Sequence, residues 1–277
     1  MARKILLLYC STKSTPEFTQ AQCNNFVNNS GATEFLIVNN TYYNYCQPND
    51  AILRYDWVSD FDNVPASYYG TTSTSQINDI KAKMKAAIDK YNKDDSSVHN
   101  LTAYVDRCVS LVKKLVNADS NCKVWLTFPV LLYDCYVAAV RYNYYYETYI
   151  LNAFKTKLTA SGHWDNIVGF YYSNESIEPW FTNFDNSAVN SQFNNPVVMN
   201  MKYLSDKVKA QGKKMLWIPY YRSPSGDDRY SRLAYVANKT NIFDYVILQP
   251  TYYFDAGLGA SNVALVKNCV TSQACKY

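Results

Sequence analysis

The stretch 169–181, GFYYSNESIEPWF, places a carboxylate directly after an aromatic run. Its apolar first half predicts a β-strand that ends at Asn174-Glu175. An apolar, aromatic environment keeps a carboxyl group protonated, and Tyr171, Tyr172 and Trp180 supply such surroundings for Glu175. Glu175 is therefore a candidate proton donor, and the alternative interpretation is an ordinary loop glutamate.

Amide and phenol side chains follow the other predicted strands, and they suit sugar recognition. Tyrosine and tryptophan rings hold the apolar faces of sugar rings, while asparagine and glutamine amides match hydroxyl groups. Ordinary packing explains the tyrosines equally well. Neither His99 nor His163 lies at a strand end, which disfavours a serine or cysteine hydrolase. The candidate substrate-binding residues are Tyr9, Asn39, Tyr171, Asn174, Trp217, Tyr220, Gln249 and Tyr252.

Six short apolar runs alternate with helical periods along the chain. Near-continuous apolar strands are typical of parallel sheets that are covered on both faces. The sequence therefore predicts one α/β domain over residues 1–277, with the fold of a TIM-type (β/α) barrel. Six predicted strands leave this barrel incomplete, since a closed TIM-type barrel has eight strands. The predicted strands are 4–9, 34–39, 123–130, 167–173, 214–221 and 244–250, and the predicted helices are 16–29, 76–92, 101–117, 142–160 and one from 196 to a stop at Gly212.

Composition excludes several classes of ligand. The first strand is followed by YCSTKSTPEF, which has no glycine, so NAD, FAD and P-loop phosphate binding are disfavoured and we expect no cofactor. The net charge of +4 comes without a basic block, which disfavours nucleic acid. The run ILLLYC is too short to span a bilayer. We expect a secreted or cell-surface protein in its mature form, in preference to a cytoplasmic one.

The cysteines admit disulfides more readily than a metal. Eight cysteines occur without a CxxC pair, and two histidines accompany them, so we expect no zinc site. An even count admits up to four disulfides. Cys269 and Cys275 are close enough in sequence to form one that closes a short loop at the C-terminus. Cys10, Cys108 and Cys135 lie in apolar runs and also fit small core residues.

Asn174-Glu175 resembles the Asn-Glu pair of clan A glycoside hydrolases. That resemblance implies that Glu175 is the general acid/base and that Asn174 contacts the sugar hydroxyl beside the anomeric carbon. The motifs ILLLYC, GFYYSNES, KKMLWIPYY and FDYVILQPTYYF together resemble an uncharacterised bacterial family, a domain of unknown function with a glycosidase-like barrel. The likeness spans most of the chain in the same order.

The sequence departs from that family after the sixth strand. There the family continues into a glutamate-rich segment where a clan A enzyme carries its nucleophile, whereas this chain finishes one helix and stops. Three resolutions stay open: an internal acid substitutes, a second chain or an unusual early strand completes the barrel, or the protein binds glycan without cleaving it. Asp255 is the best-placed internal acid, followed by Asp227, Asp228 and Glu178. We therefore expect a glycoside hydrolase-like protein that acts on a polysaccharide or glycoprotein glycan. The alternative is a non-catalytic glycan-binding or structural module on a degenerate barrel.

Overall fold

The computed structural model falls into two compact units, Met1–Phe170 and Tyr171–Tyr277. Its described residues are 4–10, 17–38, 72–79, 81–82, 101–128, 146–173, 175, 196–220, 236–237, 241–249 and 264. The fold of these residues is mixed helix and strand in both units, as the alternating apolar pattern predicts.

The strands of the first unit follow one another in chain order. They are β1 (Ile5–Tyr9), β2 (Glu34–Val38), β3 (Lys123–Phe128) and β4 (Ile167–Tyr172), whose last two residues belong to the second unit. β1 pairs with β2 in parallel, with Ile5 opposite Glu34, and β2 pairs with β3 in parallel, with Glu34 opposite Lys123. All five residues of β2 are buried, which is expected of a parallel strand covered on both faces.

Helices connect these strands. α1 (Gln20–Asn29) begins at a capping box, in which Thr19 and Gln22 each accept a hydrogen bond from the other's backbone amide. α2 (Leu101–Ala118) buries one apolar stripe completely: Val105, Cys108, Val112 and Leu115. A π-helix, Tyr146–Asn152, runs into α3 (Ala153–Ala160), and a short 3-10 helix, Trp164–Asn166, precedes β4.

The core of the first unit is aromatic and contains buried hydrogen bonds. The rings of Phe128 and Phe170 stack at 4.8 Å between centroids. Trp125 is fully buried and donates its indole N–H to the buried Glu34 carboxylate at 2.6 Å. The Tyr104 hydroxyl donates to the Thr127 carbonyl at 2.7 Å. These bonds matter because a buried polar group costs free energy unless it has a partner.

The second unit repeats the helix-then-strand arrangement. α4 (Pro196–Lys209) precedes β5 (Lys214–Trp217), and β5 pairs in parallel with β6 (Tyr245–Val246), with Trp217 opposite Val246. Met201, Leu204 and Val208 of α4 are fully buried, as the three- and four-residue spacing predicts.

The α/β class and the parallel pairings are confirmed, and so are the positions of the six strands. β1, β4, β5 and β6 are shorter than their apolar runs, and β6 comprises two residues. Within the predicted helix 142–160, Tyr146–Asn152 is π-helical. The stop at Gly212 is confirmed by its φ of +69°. Closure as a TIM-type barrel, and a single domain over 1–277, stay predictions.

Candidate functional site

Three side chains of the second unit stand at equivalent positions beyond their strands. Glu175, Tyr220 and Gln249 are each the third residue after the end of β4, β5 and β6. The Tyr220 amide donates to the Glu175 carbonyl at 2.9 Å, and Tyr220 forms a parallel bridge with Gln249. The backbone thus brings a glutamate, a tyrosine and a glutamine together at the carboxyl edge of the strands, which is where α/β proteins bind ligands.

The Gln249 side chain has a buried acceptor atom without a hydrogen-bond donor. Its Oε1 atom is buried and accepts no hydrogen bond from any residue within the described ranges. A buried acceptor without a donor costs about 1–3 kcal/mol, so a ligand that donates an O–H or N–H here is favoured. Glu175, whose carbonyl accepts from the Tyr220 amide, is half-buried.

Aromatic side chains lie beneath this edge. Trp217 has no exposed surface, and its ring stacks on Phe243 at 5.2 Å. Phe243 also contacts the Tyr172 ring at 6.2 Å. Tyr171 and Tyr172 each keep 4% of their surface exposed. The structure therefore places Trp217, Tyr171 and Tyr172 in the packing that supports the edge.

The remaining candidates are Tyr9, which belongs to the first unit, and residues that the structure does not describe. Tyr9 ends β1 in the first unit and is 44% exposed. The other predicted site residues lie outside the described residues: Asn39, Asn174, Tyr252 and Asp255, together with Glu178, Asp227 and Asp228.

Two further carboxylates of the second unit are described, and neither is at the carboxyl edge. Asp206 lies on the exposed side of α4 and pairs with Lys202 at 2.7 Å. Asp244 accepts a hydrogen bond from the Met215 amide at 2.8 Å, near the beginning of β5. Within the described part of the second unit, Glu175 is therefore the carboxylate that stands at this edge.

The first unit contains a cluster that the sequence did not reveal as a site. Cys10 follows β1, its amide donates to the Val38 carbonyl at 2.7 Å, and it lines a cleft with Tyr9, Glu17 and Arg107. The pKa of the Cys10 thiol lies below its ordinary value, because a hydrogen bond from Cys108 of α2, and then the charge and hydrogen bond of Arg107, outweigh the opposing effects of burial and of Glu17.

The four cysteines that the structure describes, Cys10, Cys23, Cys108 and Cys122, are buried free thiols. The burial of Cys10 and Cys108 agrees with their interpretation as small core residues. Cys46, Cys135, Cys269 and Cys275 lie outside the described residues.

No family profile, no curated protein and no solved structure matches this chain. The likeness to an uncharacterised bacterial family stays a prediction. Over the described ranges, no three His, Cys, Asp or Glu side chains cluster as metal ligands would. None of the helices described combines the length and the apolar character that crossing a membrane requires.

Proposed function

We propose that this chain is a glycoside hydrolase-like protein that acts on a polysaccharide or a glycoprotein glycan. The observation that carries the proposal is the set of Glu175, Tyr220 and Gln249 at one edge, with a buried amide oxygen that has no donor. A sugar presents hydroxyl donors at close spacing. A hydroxyl that donates to Gln249 Oε1 would satisfy that atom and hold the ring beside Glu175.

In this proposal Glu175 protonates the glycosidic oxygen as the bond to the anomeric carbon breaks. Its half-buried position and the aromatic packing of Tyr172, Trp217 and Phe243 below it provide a weakly polar surrounding. Asp255 is the proposed second carboxylate. A retaining mechanism requires it about 5 Å from Glu175, and an inverting one about 6.5–9.5 Å.

The test is hydrolysis of a panel of polysaccharides and glycoprotein glycans by the wild type, Glu175→Gln and Asp206→Asn. Loss of a general acid costs roughly 10²–10⁴ in rate, so Glu175→Gln should fall by that factor while Asp206→Asn, altered on the exposed helix face, stays at the wild-type rate. The loss should shrink on aryl glycosides, because a good leaving group needs little protonation. Equal turnover by wild type and Glu175→Gln would remove Glu175 from the mechanism.

A second candidate function is a glycan-binding module without catalysis. It is favoured by the absence of a second carboxylate from this edge among the residues that the structure describes. It predicts retention of a glycan on an affinity matrix without turnover, unchanged binding by Glu175→Gln, and weaker binding by Gln249→Leu. Loss of one hydrogen bond of about 1–1.5 kcal/mol corresponds to a roughly tenfold higher Kd for Gln249→Leu.

A further inference from the structure

Two isoleucines lie on the same face of the paired strands as the candidate site. The ladder between β5 and β6 and the bridge between Tyr220 and Gln249 share one register, which puts Ile218 opposite Ile247. The amides of Ile247 and Gln249 donate to carbonyls two residues apart on the neighbouring strand, at 2.8 and 3.0 Å, so the chain stays extended between them. Because side chains of a strand alternate between its two faces, the isoleucines share a face with Tyr220 and Gln249.

This face offers a ligand an apolar contact next to a polar one. Ile247 is 44% exposed, and Ile218 is half-buried. At about 3.3 Å per residue, Ile247 lies about 6.6 Å from Gln249 along the strand. The Oε1 atom of Gln249 is buried and has no donor within the described ranges, while the residue as a whole is half-buried.

A hydroxyl and an amide N–H differ in how well they suit Gln249 Oε1. A hydroxyl that donates its proton keeps two lone pairs on its oxygen, and a buried oxygen needs donors for them. The isoleucine side chains on this face supply no donor. An amide nitrogen is a donor only, so a single hydrogen bond satisfies it.

Among the substituents of sugars, the acetamido group combines such an N–H with a methyl group. The N–H matches Gln249 Oε1, and the methyl group matches the exposed Ile247 side chain. Tyr220, opposite Gln249 in the register, has a hydroxyl that can donate to the acetamido carbonyl. A sugar hydroxyl offers Ile247 nothing apolar in the same place.

The spacing to Glu175 suits an acetamido group on the carbon next to the anomeric carbon. Tyr220 lies between Glu175 and Gln249, bonded to the first through its amide and bridged to the second. Neighbouring strands are about 4.8 Å apart, so the backbones of Glu175 and Gln249 are about 10 Å apart. Their side chains span much of that distance from either side, which leaves room between them for substituents on adjacent ring carbons.

We propose that this edge is specific for glycans of 2-acetamido sugars. Gln249 Oε1 accepts the acetamido N–H, and Ile247 contacts the acetyl methyl group. This substrate class rests on the proposed function and narrows it. Gln249 and Ile247 determine specificity, and neither exchanges a proton with the substrate.

The experiment measures the binding of four methyl glycosides to the full chain by ligand-observed NMR titration. Two carry the acetamido group, N-acetylglucosamine and N-acetylgalactosamine, and two carry a hydroxyl on the same carbon, glucose and galactose. One net hydrogen bond corresponds to about tenfold in Kd, so we expect at least that preference for an acetamido sugar over its hydroxyl counterpart. In saturation-transfer spectra the acetyl methyl protons should receive the strongest saturation.

Variants assign the two contacts. Gln249→Leu should lower the preference for acetamido over hydroxyl sugars by about tenfold, because the acceptor is removed. Ile247→Ala should lower it by about fourfold, the equivalent of one methyl group left in water. Leu7→Ala is the matched control, since Leu7 of the first unit is 43% exposed, and it should keep the wild-type preference.

Equal affinity of the unaltered chain for acetamido and hydroxyl sugars would overturn this specificity and leave the proposed function in place. Failure of both acetamido sugars to bind would also overturn it, and retention or turnover of the glycan panel would then show whether the proposed function stands. Both measurements use the wild type, so they decide the matter even where a variant fails to fold. A preference that is unchanged in folded Gln249→Leu would equally contradict the assignment.

Discussion

Replacing Tyr104 by phenylalanine removes a single oxygen atom from the interior of the first unit. The Tyr104 side chain is fully buried, and its hydroxyl donates to the Thr127 carbonyl of β3 at 2.7 Å. The ring itself packs edge-on against Phe154 at 6.0 Å, a contact that phenylalanine keeps. The variant therefore measures the hydrogen bond between α2 and β3 separately from the packing around it.

The loss should be about 2 kcal/mol in the free energy of unfolding. A net hydrogen bond contributes about 1 kcal/mol, and leaving a buried carbonyl without its donor brings the total to about 1–3 kcal/mol. The space left by one oxygen adds only a few tenths of a kcal/mol at about 24 cal/mol per Å³. With an m value near 3 kcal/mol/M, the urea midpoint should fall by about 0.7 M.

The stability difference should also depend on pH. Burial raises the pKa of Tyr104 well above its ordinary value of 10.0. Above pH 10 the unfolded chain releases this proton while the folded chain keeps it, so the wild type loses up to about 1.4 kcal/mol per pH unit from this group. The free energy of unfolding of Tyr104→Phe does not fall in this way. The difference in stability between the two proteins should therefore narrow above pH 10.

Urea unfolding followed by tryptophan fluorescence, at pH 7 and pH 10.5, measures both effects. Tyr9→Phe is the matched control, because Tyr9 is 44% exposed and its loss of a hydroxyl should change stability by under about 0.5 kcal/mol. The reasoning is refuted if Tyr104→Phe at pH 7 costs no more than Tyr9→Phe.

Three further outcomes follow from the described contacts. Trp125→Phe should lose about 2–3 kcal/mol in chemical unfolding, because the buried Glu34 carboxylate loses the indole donor at 2.6 Å, and the loss should be smaller in a Glu34→Gln background, where no charge is left buried. Gly212→Ala should lower stability by about 1 kcal/mol and Gly212→Asn by less, since the φ of +69° strains alanine more than asparagine although no atom lies within 4 Å; equal melting temperatures for all three proteins would contradict this. Burial raises the pKa of Cys122 to about 12, so the folded chain keeps a proton that the unfolded chain loses above pH 9.0, and wild-type stability should fall between pH 9 and 12 more steeply than that of Cys122→Ser in parallel unfolding titrations.

The elements were predictable because their signals are local. Apolar runs and helical spacing identified all six described strands and the buried stripe of α2. The strand ends were less predictable, because the strand pairing decides them. In the described part of the run 244–250, the regular ladder with β5 covers only Tyr245–Val246, and Gln249 forms an isolated bridge with Tyr220. The π-helical turn at Tyr146–Asn152 has no spacing signature that differs from that of an α-helix.

The site was predictable only in outline. Position after a strand end is enough to single out Glu175, Tyr220 and Gln249, and the backbone does bring them together. The same rule could not tell that Trp217 points into the core, because a strand covered on both faces has aromatic residues on either side. The influence of Cys108 and Arg107 on the pKa of Cys10 joins residues that are far apart in the sequence, and no local pattern encodes it.

The chain-order arrangement of β1 to β4 has a consequence for how the protein assembles during synthesis. Each strand that emerges from the ribosome finds its hydrogen-bonding neighbour already made, and no strand has to wait for a distant partner or be inserted between two others. The entropic penalty for closing each connecting loop grows only slowly with its length, so successive docking steps meet similar barriers. The bonds from the Thr33 and Glu34 amides to the Lys4 carbonyl, at 2.8 and 3.1 Å, join the first two strands at the outset. A parallel sheet, whose pairings are usually slow to form, can in this way grow from its N-terminal edge one helix and one strand at a time.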